Sequence, residues 1–197
     1  MELIEQRIVK RAQKGDRLAF AELVELYKDK LYNLGYRMLG NQQEAEDIAQ
    51  EAFLRAYANL NKYNAQHKFS TWIYRIATNL CIDRIRKKKA DYSLDAEVDG
   101  VEGADMYSRL KAPGDTPEQE VMRREARQEV QDAIDALPEN YRTAVILKYL
   151  HDLSLLEISE ILEVPVSTVK TRIHRGREAL RTSLRPMQEE VPIRELP

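Results

Sequence analysis

The chain has 197 residues, 32% of them charged and 43% hydrophobic, with seven glycines and a net charge of −2. That length allows one domain or two small ones, and the balance fits a soluble helical protein. It excludes collagen-like and low-complexity classes, and no run approaches the roughly 18 uninterrupted apolar residues of a bilayer helix.

The N-terminal MELIEQRIVKRAQKGD is charged throughout and lacks a signal-peptide apolar core, so a cytoplasmic protein is expected. Residues 2–60 read as helices. Phe20, Leu23, Val24, Tyr27, Leu31, Leu34 and Met38 recur at three- and four-residue steps, and Gly40-Asn41 should end that helix. Another runs from Glu44 to Leu60, with Ile48, Ala52 and Leu54, or Arg55 to Tyr57, as its sides. After the polar stretch 61–68, Ser70 is a good N-cap for a helix with Trp72, Ile73, Ile76, Ala77, Leu80 and Ile82 on its core face. Cys81 is the only cysteine, so no disulfide forms within the chain, and a reducing compartment fits. With His67, His151 and His174 scattered, no metal site of the usual zinc spacing is expected.

Residues 91–118 have no period and contain Gly100, Gly103, Pro113, Gly114 and Pro117, which reads as a linker. Helical patterning resumes near Pro117 with Val121, Val130, Ile134 and Leu137. Ser154-Leu-Leu-Glu157 is a capping box. The short apolar helix it opens stops at Val164-Pro165, and a basic helix begins near Ser167 with Val169, Ile173 and Leu180 inward. Its other side carries Lys170, Thr171, His174, Arg175 and Arg177. This is a helix-turn-helix pattern, whose second helix can enter a major groove; an ordinary helical hairpin with a basic outer face fits the same residues. The prolines of the tail 186–197 suggest a disordered end.

Charge is blocky along this order. Residues 68–89 carry seven cations against one acid, residues 170–185 six against one, and residues 91–120 nine acids against two cations. Two basic blocks around an acidic one suit two polyanion contacts and a tether that avoids both. In the first block Phe69, Trp72 and Tyr74 interleave with Arg75, Asn79, Arg84 and Arg86, a mixture that suits single-stranded nucleic acid. The same aromatics can equally be core. The run from Glu44 to Tyr57 adds a carboxylate edge beside Phe53.

The motifs D-x-x-Q-E-A-F, F-S-T-W-x-Y-R-I-A and LSLLEISEIL…VPVSTVKTRIHRGREAL, in that order, resemble a bacterial extracytoplasmic-function (ECF) RNA polymerase sigma factor. The likeness is strongest to the sigma-W type of Gram-positive bacilli, which control cell-envelope and antimicrobial stress genes. It implies an all-α protein of two small helical domains. These would be sigma region 2 over 1–90 and sigma region 4 over 118–185, joined by an acidic flexible linker over 91–117. It also implies roles. Asp47, Gln50, Glu51 and Phe53 would dock on the β′ clamp helices of core RNA polymerase. The loop from Asn61 through Tyr63, Lys68, Phe69 and Ser70, with Trp72, Arg75 and Asn79, would capture a flipped base of the −10 element. Arg84 and Arg86 would hold the backbone of that element. Lys148, Lys170, Thr171, Arg172, His174, Arg175 and Arg177 would read or clamp the −35 element. Promoter DNA and a membrane-anchored anti-sigma factor are the other implied partners. No nucleophile–base pair or phosphate loop is present, so no enzyme, cofactor or small-molecule substrate is expected. A helix-turn-helix repressor or activator that binds duplex DNA without polymerase is the alternative.

Overall fold

Helix boundaries follow capping chemistry closely. In the computed structural model, which describes residues 2–64, 66–94 and 117–184, the fold is all-α, with no strand among the described residues. Helix α1 is Glu2–Gln13 and α2 is Arg17–Leu39. Asp16 caps α2 by accepting from the Ala19 amide at 3.0 Å. That bond, with the Arg11 guanidinium beside it, holds the Asp16 carboxyl below its ordinary range. At the far end Gly40 adopts φ 68°, a left-handed conformation that favours glycine, and donates to Tyr36 O at 2.8 Å. Asn41 then caps α3 (Gln42–Asn59) by accepting from Glu44 N at 2.9 Å. One Gly-Asn dipeptide thus closes one helix and opens the next.

A 3₁₀ turn over Leu60–Lys62 leads to the loop before α4 (Phe69–Leu94). Two boundaries differ from expectation. The carbonyl of Lys68 accepts from Trp72 N at 3.2 Å, so Ser70 lies inside the first turn and is not the cap. The helix also continues four residues past Ala90. Of the expected linker only 91–94 and Pro117 fall within the described residues, and the expected tail over 186–197 falls wholly outside them.

The second unit comprises α5 (Pro117–Asp135), α6 (Glu139–Val145) running on as a π-turn over Ile146–Leu150, α7 (Leu155–Leu162) and α8 (Val166–Ser183). Val130, expected inward, lies at the surface, while Ile134 and Leu137 are buried. The buried apolar residues of the two units belong to one cluster. Leu23, Leu31, Leu34 and Met38 of α2 contribute with Ile48 and Ala52 of α3 and with Phe69, Ile73 and Ala77 of α4. Ala144, Ile146, Leu147, Ile158, Ile161, Val169 and Ile173 are the share of the second unit. Cys81 of α4 is fully buried, and burial pushes its thiol up to about 12.

The two units pack together. Arg142 donates to Met38 O at 3.1 Å across the junction and to the carbonyls of Asp135 and Leu137 on its own side. Arg37 Nη1 donates to Gln131 Oε1 at 3.0 Å. Tyr74 of α4 meets His151, hydroxyl to Nδ1, at 2.9 Å, and the His151 Nε2 atom is buried without a partner.

That histidine makes the junction sensitive to acid. Burial first, then Lys30 and Arg37, lowers His151 to about 4, with Asp152 opposing. The unfolded chain takes up this proton near pH 6.5 and the folded chain only near 4, so stability present above 6.5 falls as pH drops between them. Urea unfolding at pH 5 should give a stability about 2 kcal/mol below that at pH 7. His151→Gln should remove most of the difference; an unchanged slope would exclude His151 as its source.

Candidate protein and nucleic-acid interfaces

On α3, Asp47, Gln50, Glu51 and Leu54 fall at i, i+3, i+4 and i+7 and so share a face. Asp47 and Gln50 are exposed, and Glu51 accepts from Arg55 Nε at 2.7 Å. These residues form one wall of a groove whose other wall is Leu80, Asp83, Arg84 and Lys87 of α4. Two expectations change here. Phe53 is half-buried against the core, and the exposed apolar residue beside the acids is Leu54, 65% exposed. Glu44 turns inward to Arg84, at 3.6 Å, and to Lys88. Arg84 therefore faces α3 and stands apart from the other expected −10 contacts. Leu54 was findable from its seven-residue offset from Asp47.

The loop before α4 rests on an aromatic cluster. Ring centroids lie at 5.7 Å for Tyr63–Phe69, 5.1 Å for Tyr63–Trp72, 5.6 Å for Phe69–Trp72 and 5.6 Å for Tyr27–Phe69. Phe69 is only 2% exposed and Tyr63 is buried, so these rings support the loop and present no face for stacking. Trp72 is half-buried at the edge of the cluster. Gln13 of α1 donates to Leu60 O at 3.0 Å and Tyr63 O at 3.2 Å, and the Tyr63 hydroxyl donates to His67 O. Asn61 lies exposed in the 3₁₀ turn, and Ser70 meets the Tyr27 hydroxyl.

Lys68, Trp72, Arg75, Asn79 and Arg86 recur at offsets of 4, 7, 11 and 18, which places them along one face of α4. Arg84, sixteen residues after Lys68, points well round the helix from them. The cations of this face end on carboxylates of the second unit: Lys68 on Glu157 at 3.1 Å, Arg75 on Glu163, and Arg86 on Glu139 at 3.1 Å. His67, just before them, lies 3.5 Å from Glu160.

In the second unit the capping box forms as expected, with Ser154 N donating to Glu157 Oε2 at 2.9 Å and Glu157 N to Ser154 Oγ at 3.2 Å. Glu163 closes α7 at φ 53°, and Ser159 Oγ donates to Val164 O at 2.6 Å across the tight turn into α8. Val169 and Ile173 are buried, while Lys170, Thr171, His174 and Arg177 are exposed and Arg172 is half-buried. Arg175 Nη1 donates to the Tyr141 hydroxyl of α6 at 3.2 Å, which positions its guanidinium at the edge of the exposed strip. Lys148 instead braces the turn before α7, donating to Leu153 O at 3.3 Å. No group of three His, Cys, Asp or Glu among the described residues can hold a metal ion, and no helix among them is long and apolar enough to cross a membrane.

Residues 23–90 match sigma-70 region 2 and residues 127–180 match sigma-70, region 4. The ECF RNA polymerase sigma factor SigW of Bacillus subtilis is 59% identical over 187 residues, covering 95% of this chain and 100% of that one. The chain belongs to the ECF sigma factors. The Escherichia coli K12 ECF sigma-E factor is 36% identical, over 94% of this sigma factor and 97% of its own length. In fold, this sigma factor is similar to CnrH in a complex with the cytosolic domain of CnrY, with TM-score 0.68, 19% identity, and 95% and 99% of the two chains covered. It is an alternative sigma factor for transcription initiation, one that binds core RNA polymerase and promoter DNA.

Proposed function

We propose that this sigma factor divides initiation among three faces carried by two helical units. The α3 face with Asp47, Gln50, Glu51 and Leu54 docks on the β′ clamp helices. The α4 face from Lys68 to Arg86, with the loop before it, holds the −10 strand. The exposed strip of α8 reads the −35 element. On this reading residues 1–90 and 118–185 are the functional domains and 91–117 is the acidic tether. Because 91–94 continue α4 and Pro117 begins α5, the chain between those helices can reach at most about 78 Å at about 3.4 Å per residue. The observation that carries the reading is the separation of an acidic, partly apolar face from two cationic ones.

Energetics supports a subunit that cannot open DNA alone. Each stacked step opened costs about 1.4 kcal/mol, and a base held on a ring returns about 1–3 kcal/mol. With Tyr63 and Phe69 committed to the loop's own packing, the polymerase must supply most of what strand opening requires. The chemistry of RNA synthesis belongs to the polymerase, and the sigma factor is not itself an enzyme. Its site of action is the cytoplasm, at promoters of envelope-stress genes, as the 59% identity to SigW supports. The sigma factor RpoE of Bartonella quintana, solved with the anti-sigma factor NepR, supports an anti-sigma partner here, and the cytosolic domain of CnrY in the CnrH complex supports one anchored in the membrane.

Reconstitution with core polymerase and a promoter library tests the reading: specific initiation should need both components. Tight, sequence-specific duplex binding by the chain alone would instead favour a repressor or activator.

Within α8, Arg175 can donate to guanine O6 and N7, a contact worth about 1–3 kcal/mol of discrimination. Arg181, two turns further, lies exposed near the end of the helix and should meet phosphate only. In the holoenzyme, Arg175→Ala should flatten preference at one −35 base. Arg181→Ala should weaken every −35 variant alike and reduce the salt slope by about one. Equal losses for both substitutions on every variant would refute this division.

A further inference from the structure

The cations of the α4 face are exposed at their edges but paired in this structure, and by a regular series of anions. Glu157, Glu160 and Glu163 follow at three-residue steps along α7 and its cap. They meet Lys68 at 3.1 Å, His67 at 3.5 Å and Arg75. Residues 153–165, LSLLEISEILEVP, contain these three acids and no cation. A nucleic-acid strand likewise presents one anion per repeat to the cations that track it. One cation cannot hold a carboxylate of α7 and a phosphate in the same place. Lys170 and His174 of the α8 strip make no ion pair among the described residues, so only one of the two cationic faces is engaged by carboxylates.

We propose that α7 is a built-in competitor of the single strand. Its three carboxylates occupy phosphate positions on His67, Lys68 and Arg75, and the free sigma factor keeps those positions occupied until its two units are held apart on the polymerase. The inference rests on reading this face as the −10 surface. The ion pairs are largely solvent-exposed and individually weak, which suits a contact that must open.

The test uses the full chain without polymerase and a fluorescent single-stranded oligonucleotide carrying the −10 element found by library reconstitution. Glu157→Gln, Glu160→Gln and Glu163→Gln together should tighten strand binding about tenfold, as much as two exposed ion pairs and a carboxylate–imidazole contact can hold back. Glutamine at 157 still serves a capping box, so α7 is retained. A control with Glu25→Gln, Asp29→Asn and Glu129→Gln makes the same charge change at exposed positions elsewhere and should gain much less. No gain from the first set, or an equal gain from the control, overturns the proposal.

A second variant tests closure directly. Arg75→Cys and Glu163→Cys, joined by a cleavable bis-maleimide, should fail to bind the strand until the linker is cut. Cys81 is fully buried and is spared by the reagent. Strand binding by the linked chain equal to that of the cut chain overturns the proposal. Unimpaired −10-dependent initiation by holoenzyme carrying Lys68→Ala and Arg86→Ala would remove the reading of this face as the −10 surface, whichever way strand binding by the glutamine variant comes out.

Discussion

Reversing charge at two positions, Asp47→Arg with Glu51→Arg, should abolish association with core polymerase, weakening it by at least about 100-fold. Both residues lie on the α3 face, and like charges placed against a complementary partner cost several kcal/mol. The fold should survive. Asp47 is exposed, and among the described residues the only ion pair lost is Glu51 to Arg55, a helix-surface pair worth about 0.2–0.5 kcal/mol. The measurement is co-elution with core enzyme, with circular dichroism as the check on helicity. Leu54→Ala should weaken association without changing stability, because Leu54 stands in solvent. Phe53→Ala should lower stability instead. Undiminished co-elution of the double reversal would eliminate this face as the docking surface.

A comparably large effect is expected at Gly176, which sits on the buried side of α8 between Arg175 and Arg177. Helices α6 and α8 cross so closely there that a Cβ would lie 2.6 Å from Val145 Cγ2 and 3.4 Å from Tyr141. Val145 is buried and cannot retreat easily. Gly176→Ala should cost about 1–3 kcal/mol, and Gly176→Leu more, since overpacking a filled core forces side chains off their rotamers. Because Tyr141 also orients Arg175, −35 recognition should fail along with stability. Thermal unfolding and initiation from −35-dependent promoters provide the readouts. Ala179→Leu, an exposed change on the same helix, should stay within about 0.5 kcal/mol. A Gly176→Leu chain as stable as the parent would mean that the α6–α8 crossing is looser than described.

Local chemistry was legible in the sequence, and side-chain direction much less so. The Gly40-Asn41 break, the Ser154–Glu157 capping box and the turn before α8 are fixed by neighbours a few residues away, and each forms where the residues predict. Phe53 and Leu54 are adjacent and both apolar, and only the packing of α3 on α2 decides which one faces solvent. Phe69 and Tyr63 sit among cations in the sequence, but burying large rings outweighs leaving them free, so they fold into a cluster with Tyr27. Arg84 belongs to a basic run yet turns toward Glu44, because a helix distributes a run around its axis. The pairs between α4 and α7 join residues nearly ninety positions apart, and no local pattern marks such partners.

The burial of Cys81 has a consequence for how such a protein can be informed of its surroundings. A thiol reacts with peroxides and disulfides as its thiolate, and this one combines complete burial with an ionisation pushed up to about 12. It is the only cysteine in the chain, so oxidants find no reactive sulfhydryl here. Any thiol redox chemistry that bears on this sigma factor therefore has to be done on another molecule.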